Sequence, residues 1–294
     1  MRATTSSIAA FLSLTLAGPA LADPDWKAVA QALGKEGAAQ GGVYRVGFPR
    51  SDLKVTLDGT EIKPGLALGG WVAFAPIGNN DAMIMGDLVL TQDEVNPVMK
   101  KLIDAGLEIT ALHNHLLRSE PATMYMHVGG HGDAVKLAAA LREGLSASKT
   151  PMGAPAAAAP APEIDFDTAA VDAAMGRRGK ANGPIYQFSI SRAGPVKDAG
   201  MVVPEAMGSA IAINFQPTGG GKAAITGDFV LTADEVNPTL KALRANDIEV
   251  TALHSHMLDE QPRLYFMHFW ANDDAEKLAK GLAAALSHVK IAKS

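Results

Sequence analysis

Cysteine is absent from all 294 residues. That excludes disulfide cross-links, a thiol nucleophile and thiolate metal ligands, so a metal site in this chain must use imidazole, carboxylate or thioether. Aromatic residues are scarce at 5% of the chain, and there are only 8 histidines. A glycine-rich phosphate loop and a serine-nucleophile motif are both missing. The apolar run from Ile8 to Leu16 is far shorter than the roughly 20 residues that cross a bilayer as a helix, and no later run is long enough, so no membrane span is expected. Strong positive charge is lacking as well. The formal net charge is -5 with scattered lysines, which argues against nucleic acid or an anionic membrane as the main partner.

What is present begins with a leader pattern. Arg2 precedes the short apolar run, and the small-residue stretch "ALA" ends at Ala22. This is the layout of a secretory signal peptide over residues 1–22 and predicts a periplasmic or secreted protein. Cleavage after Ala22 removes Arg2 and moves the formal charge from -5 to -6.

The mature part is written twice. "GDLVLTQDEVNP" at 86–97 returns as "GDFVLTADEVNP" at 227–238, an offset of 227 - 86 = 141. The same offset carries His113, His115, Pro121 and His127 onto His254, His256, Pro262 and His268. A repeat unit of this size is a domain, so the pattern is a tandem duplication and not a solenoid. The expected division is a first repeat at 23–147, an Ala/Pro-rich extended linker at 148–164, and a second repeat at 165–294.

Each copy reads as a short helix, several strands rich in valine, aromatics and glycine punctuation, a helix, two more strands, and a last helix. The fold class is α+β: two tandem repeats of a mainly antiparallel sheet with packed helices, in a pseudo-two-fold arrangement. The middle helix has two candidate starts. Asn96 or Asn237 can cap it with the next proline at the first helical position. Alternatively, Thr91 with Glu94 forms a capping box.

The histidines carry the chemistry. In "ITALHNHLL" and its repeat "VTALHSHML", strand alternation points His113 and His115 the same way, about 6 to 7 Å apart. A third imidazole, His127, follows a turn short enough for an antiparallel return. The second copy repeats the set with His254, His256 and His268. Three histidines with one position left open form a layout that suits zinc and is also compatible with copper. All three histidine pairs are kept while Asn114/Ser255, Met124/Tyr265 and Glu120/Gln261 differ between copies. Glu120 is the one candidate general acid or base, and only for the first copy. Met124 and Met126 fall on the strand face opposite His127 and read as core. Asp87 and Asp228, each after a glycine, read as turn residues. His131 reads equally well as a surface or cap residue or as a ligand, and His288 reads as exposed.

The segment "HNHLLRSE" is similar to the first cupin motif, but the second copy has Gln261 where that motif needs an acid. The segments "MGDLVLTQDEVNPVMKKLIDAGLEITALHNHLL", "YMHVGGHGD" and "GGVYRVGFPRSDL" closely resemble the bacterial LppY/LpqO family over residues 25–147 and again over 165–288. The resemblance implies an exported two-repeat protein and no particular reaction. This chain departs from lipoprotein members in having no cysteine to acylate. The readings are an exported metal-binding protein, a zinc-dependent hydrolase or lyase acting on cell-envelope material, and a non-catalytic envelope interaction domain. The first two imply a divalent metal ion, and the last two a cell-envelope ligand, as partners.

Overall fold

The computed structural model describes residues 23–153 and 163–293. The expected leader at 1–22 and residues 154–162 of the expected linker lie outside that range. The first half runs α1 (Trp26–Leu33), β1 (Ala38–Gln40), β2 (Val43–Pro49), β3 (Val55–Leu57), β4 (Thr60–Ile62), α2 (Pro64–Ala67), β5 (Gly69–Gly78), β6 (Asp81–Thr91), α3 (Gln92–Asp104), β7 (Glu108–His113), β8 (Thr123–Asp133) and α4 (Ala134–Leu145). The second half repeats this order as α5 (Thr168–Met175), β9 (Lys180–Asn182), β10 (Ile185–Ile190), β11 (Lys197–Asp198), β12 (Met201–Val202), a 3-10 turn (Glu205–Met207), β13 (Ile211–Gly219), β14 (Lys222–Leu231), α6 (Ala233–Ala245), β15 (Glu249–His254), β16 (Tyr265–Asp274) and α7 (Ala275–Leu286). The two main sheets are six-stranded and antiparallel, ordered β1-β2-β5-β6-β8-β7 and β15-β16-β14-β13-β10-β9, and β3-β4 and β11-β12 form two-stranded ribbons. The expected α+β duplication is therefore the observed architecture.

β6 shows why each sheet is covered on both faces. Nine consecutive residues, Ala82 to Leu90, are buried, so the usual alternation of buried and exposed positions is lost. Ala82, Ile84, Leu88 and Leu90 pack under the helices with Val29, Leu102 and Leu141. Met83 and Met85 point the other way and join the core of the second half. Val89 and Tyr125 share a further apolar cluster with Ile185, Ala224 and Trp270. The sheets thus meet across their helix-free faces. Met126 is buried and Met124 packed in the helix-side core of the first half, as their strand parity requires.

One pair of contacts between the halves is exchanged, as a pseudo-two-fold demands. Thr110 Oγ1 donates to the His256 carbonyl, and Thr251 Oγ1 donates to the His115 carbonyl, both at 2.6 Å. On one side alone, the Gln216 amide bridges the main chain at Lys63 and Glu61.

The middle helices start at Thr91 and Thr232, each with the reciprocal capping box. Pro97 and Pro238 lie inside those helices, so the alternative start at Asn96 or Asn237 is not the one used. Glu94 has a second task, which explains its duplication. It accepts from the fully buried Arg50 at 2.7 Å and from the Lys149 backbone amide at 2.7 Å. Arg192, Glu235 and Lys290 repeat the arrangement. Residues just past α4 are therefore tied to the first half, and Lys35 adds bonds to the carbonyls of Pro151 and Gly153. Arg50→Ala is expected to destabilise the protein by about 3–5 kcal/mol, because it strands Glu94 as an unpaired buried charge. Denaturant unfolding with an unchanged m-value checks this.

Candidate metal centre

A β-bulge decides where the histidines point. In the pairing of β7 with β8, Ile109 faces Val128 but Ala111 faces His127, so the register shifts by one residue at Thr110. β15 shifts in the same way at Thr251. A one-residue slip moves every later side chain to the other face. Without it, His113 would point with Met124 toward the helices. With it, His113 sits opposite Tyr125 on the face that meets the second half. The strand ends at His113, so His115 lies on the bend that follows and not on the strand itself, contrary to the simple alternation read from the sequence.

The outcome is one cluster of six imidazoles. His113 and His254 stack across the junction with ring centroids 3.6 Å apart. His115 lies 3.8 Å from His268, and His127 lies 3.8 Å from His256, again as an exchanged pair. The rings are shared across the junction and are not segregated by half. Three sets bring one ligand nitrogen from each residue within 4.8 Å of the others: His113/His115/His268, His113/His127/His254 and His254/His256/His268. The second-half triad converges; His113, His115 and His127 do not form such a set among the described residues, and the first two sets cross the junction. The reason is that the sheets pack face to face, so the nearest imidazole to each ring belongs to the other half.

Several nitrogens in the cluster have no hydrogen-bond partner among the described residues: His113 Nδ1, both nitrogens of His254, and Nε2 of His127, His256 and His268. His127 Nδ1 and His268 Nδ1 face the carbonyls of Gly86 and Gly227 at 3.2 and 2.8 Å. A carbonyl can only accept, so each Nδ1 carries the proton and each Nε2 keeps a lone pair directed into the cluster. Gly227 lets β13 lie close against β14. A Cβ there would stand 2.0 Å from the Ala212 carbonyl oxygen. Nε2 of His113 and Nε2 of His115 are 3.0 Å apart, close to the about 3.3 Å between two ligand atoms of a tetrahedral site with bonds of 2.0–2.1 Å.

Asp87 is a buried and Asp228 a half-buried strand residue, and neither is a turn residue. Asp87 Oδ2 lies 3.3 Å from His115 Nε2, and Asp228 Oδ2 lies 3.3 Å from His256 Nε2. Burial raises both carboxyls above the usual range. Burial also depresses the histidines, His115 to about 3 and His113, His127, His254, His256 and His268 in the same direction. Glu120 lies apart: it is exposed, and its main chain pairs with that of Thr56. His131 and His288 are exposed.

The cluster forms one wall of a cavity of about 290 Å³. Its lining includes His115, His127, His256, His268, both aspartates, Arg45, Trp71, Gln187 and Asn214. The sequence reading missed Asp87, Asp228, Arg45 and Trp71. For the aspartates a signal existed, since the Gly-Asp pair is kept in both copies.

Such a chain is a duplicated α+β domain whose copies close over a shared imidazole-lined cavity. It belongs to the family described as Domain of Unknown Function (DUF1259), which matches residues 27–147 and 169–288. Comparison with curated proteins finds no match. Among solved structures, it is similar to a trimeric bacterial microcompartment shell protein, PduB, at 12% identity and a TM-score of 0.21, covering 87% of this chain and 91% of that one. EtuB from Clostridium kluyveri is similar at 9% identity and a TM-score of 0.21, covering 86% and 91%. TM-scores this low give these likenesses no bearing on function.

Proposed function

We propose that this protein binds a divalent metal ion between its two halves, zinc first and copper second. The observation that carries the reading is the set of buried imidazole nitrogens without hydrogen-bond partners, grouped across the junction. Leaving buried polar atoms unpaired costs about 1–3 kcal/mol each. Six of them in one place point to a ligand that satisfies several at once. Neutral imidazole suits zinc and copper, and the carbonyl-oriented His127 and His268 supply the supporting hydrogen bonds such sites use. In this reading the protein is exported, as the leader pattern suggests, and is an LppY/LpqO-type member of its family.

The test is elemental analysis of protein purified from the periplasm without a nickel column, followed by titration of the chelator-treated protein with zinc. Sub-micromolar binding at one or two ions per chain is expected. No retained metal together with no zinc binding would refute the reading.

One observation favours a catalytic variant. Asp87 and Asp228, whose carboxyls are raised by burial, sit beside the imidazoles on an accessible cavity. For a zinc-dependent hydrolase or lyase, these residues and not the exposed Glu120 would be the acid or base. Asp87→Asn would then lower turnover by roughly 10²–10⁴ with metal content unchanged.

A further inference from the structure

The cavity beside the histidines is symmetric at one end and unequal at the other. His115, His127 and Asp87 have matching partners in His256, His268 and Asp228. The remaining wall does not match. Arg45 pairs with Ala73 in its sheet, and Gln187 pairs with Asn214, the residue 141 positions after Ala73. Arg45 and Gln187 therefore occupy equivalent places. Trp71 pairs with Asp87 as Ala212 pairs with Asp228. One half thus presents arginine and tryptophan where the other presents glutamine and alanine.

Arg45 is held in place with little of its charge compensated. Its guanidinium lies 3.8 Å from the centre of the Trp71 ring. One amino group donates to the carbonyl of Ala206, from the 3-10 turn of the second half. Gly208 closes that turn with φ +86 and lies against the same ring, where a Cβ would come within 3.1 Å of it. No carboxylate lies within ion-pair distance of Arg45 among the described residues. Burial pushes its pKa down to about 10, partly opposed by the charge of Asp87. A confined arginine with one acceptor for five N–H donors has capacity left for a bidentate anion. The equivalent part of the lining from the second half is polar and uncharged: the Gln187 amide donates to Asn214 Oδ1 at 2.9 Å, and Thr226 also lines the cavity.

We infer that this cavity binds a small organic anion, its carboxylate or phosphate on Arg45 and its uncharged polar end toward Gln187 and Asn214. A volume of about 290 Å³ is at the lower limit for small-molecule sites, which restricts the ligand to a few carbons. The inference builds on the metal reading, because an anion held here lies alongside the histidine cluster and can reach an ion bound there. The position of Arg45 also orients the ligand, which a fully symmetric chamber could not do.

The test is calorimetric titration of the full chain, with its metal content measured first, using glycolate, inorganic phosphate and glycerol as probes. Glycolate or phosphate is expected to bind and glycerol is not. Arg45→Gln copies the residue tolerated at the equivalent place. It is expected to weaken anion binding more than tenfold with metal content unchanged, and Arg45→Lys to recover part of the loss. Equal binding to the wild type and Arg45→Gln, or no binding of either anion to metal-loaded protein, would overturn the inference and leave the metal reading standing. Arg45-dependent anion binding by a chain that takes up no metal would uphold the anion site and remove the metal reading.

Discussion

His113→Ala and His254→Ala are each expected to weaken metal binding by the whole chain more than about 100-fold. Each of these residues belongs to two of the three candidate ligand sets, and they stack on one another at the junction. Removing either breaks two sets and opens the stack from which both halves draw. Two independent sites would behave differently, each substitution removing one equivalent and sparing the other. His115→Ala removes a residue of a single set and is expected to weaken binding less, by about 10- to 100-fold. Zinc titration with a competing chelator distinguishes these patterns. Loss of half the bound metal in both His113→Ala and His254→Ala would contradict a shared centre.

The second large effect is acid instability of the metal-free protein. Burial holds the pKa of all six histidines below the reference value of about 6.5. Above that value folded and unfolded chains carry the same imidazole charge, so the histidines do not alter stability. Below it the unfolded chain takes up protons that the folded chain resists, and stability falls with pH. One pH unit below the reference, each fully shielded histidine costs about 1.4 kcal/mol. Six together can offset most of a typical stability of about 5–15 kcal/mol. Asp87 and Asp228 act in the opposite sense, because their raised pKa values favour the folded state as pH falls. Two carboxyls offset only part of the loss. The melting temperature of chelator-treated protein is therefore expected to drop steeply between pH 6.5 and 5, and bound zinc should move the drop to lower pH. A melting temperature that stays flat from pH 7 to 5 would show that the cluster is hydrated or already protonated.

Much of the fold was legible because the duplication states each feature twice. The order of helices and strands in each copy and the parity of Met126 against His127 follow from local rules that hold inside one copy. The site was legible only as a list of histidines, and their grouping was not. That grouping depends on a bulge at Thr110 and Thr251, which leaves no composition signal, and on which sheet face meets the other half. One hint lay in β6, whose apolar run, broken only at Gly86-Asp87, shows that its second face is covered without saying by what. Asp87 was misread for a related reason: a Gly-Asp pair resembles a turn until the strand is seen to continue through it. Arg45 and Trp71 are far from the histidines in sequence and come together with them only through sheet pairing and the second half's 3-10 turn.

The most direct measurement is an anomalous-scattering crystal structure of the zinc-loaded protein recorded at the zinc edge. The expected result is an ion at the junction, about 2.0–2.1 Å from imidazole nitrogens contributed by both halves, with His113 or His254 among its ligands. An ion held by the histidines of one half alone, or zinc found only outside the cluster, would contradict a shared metal centre.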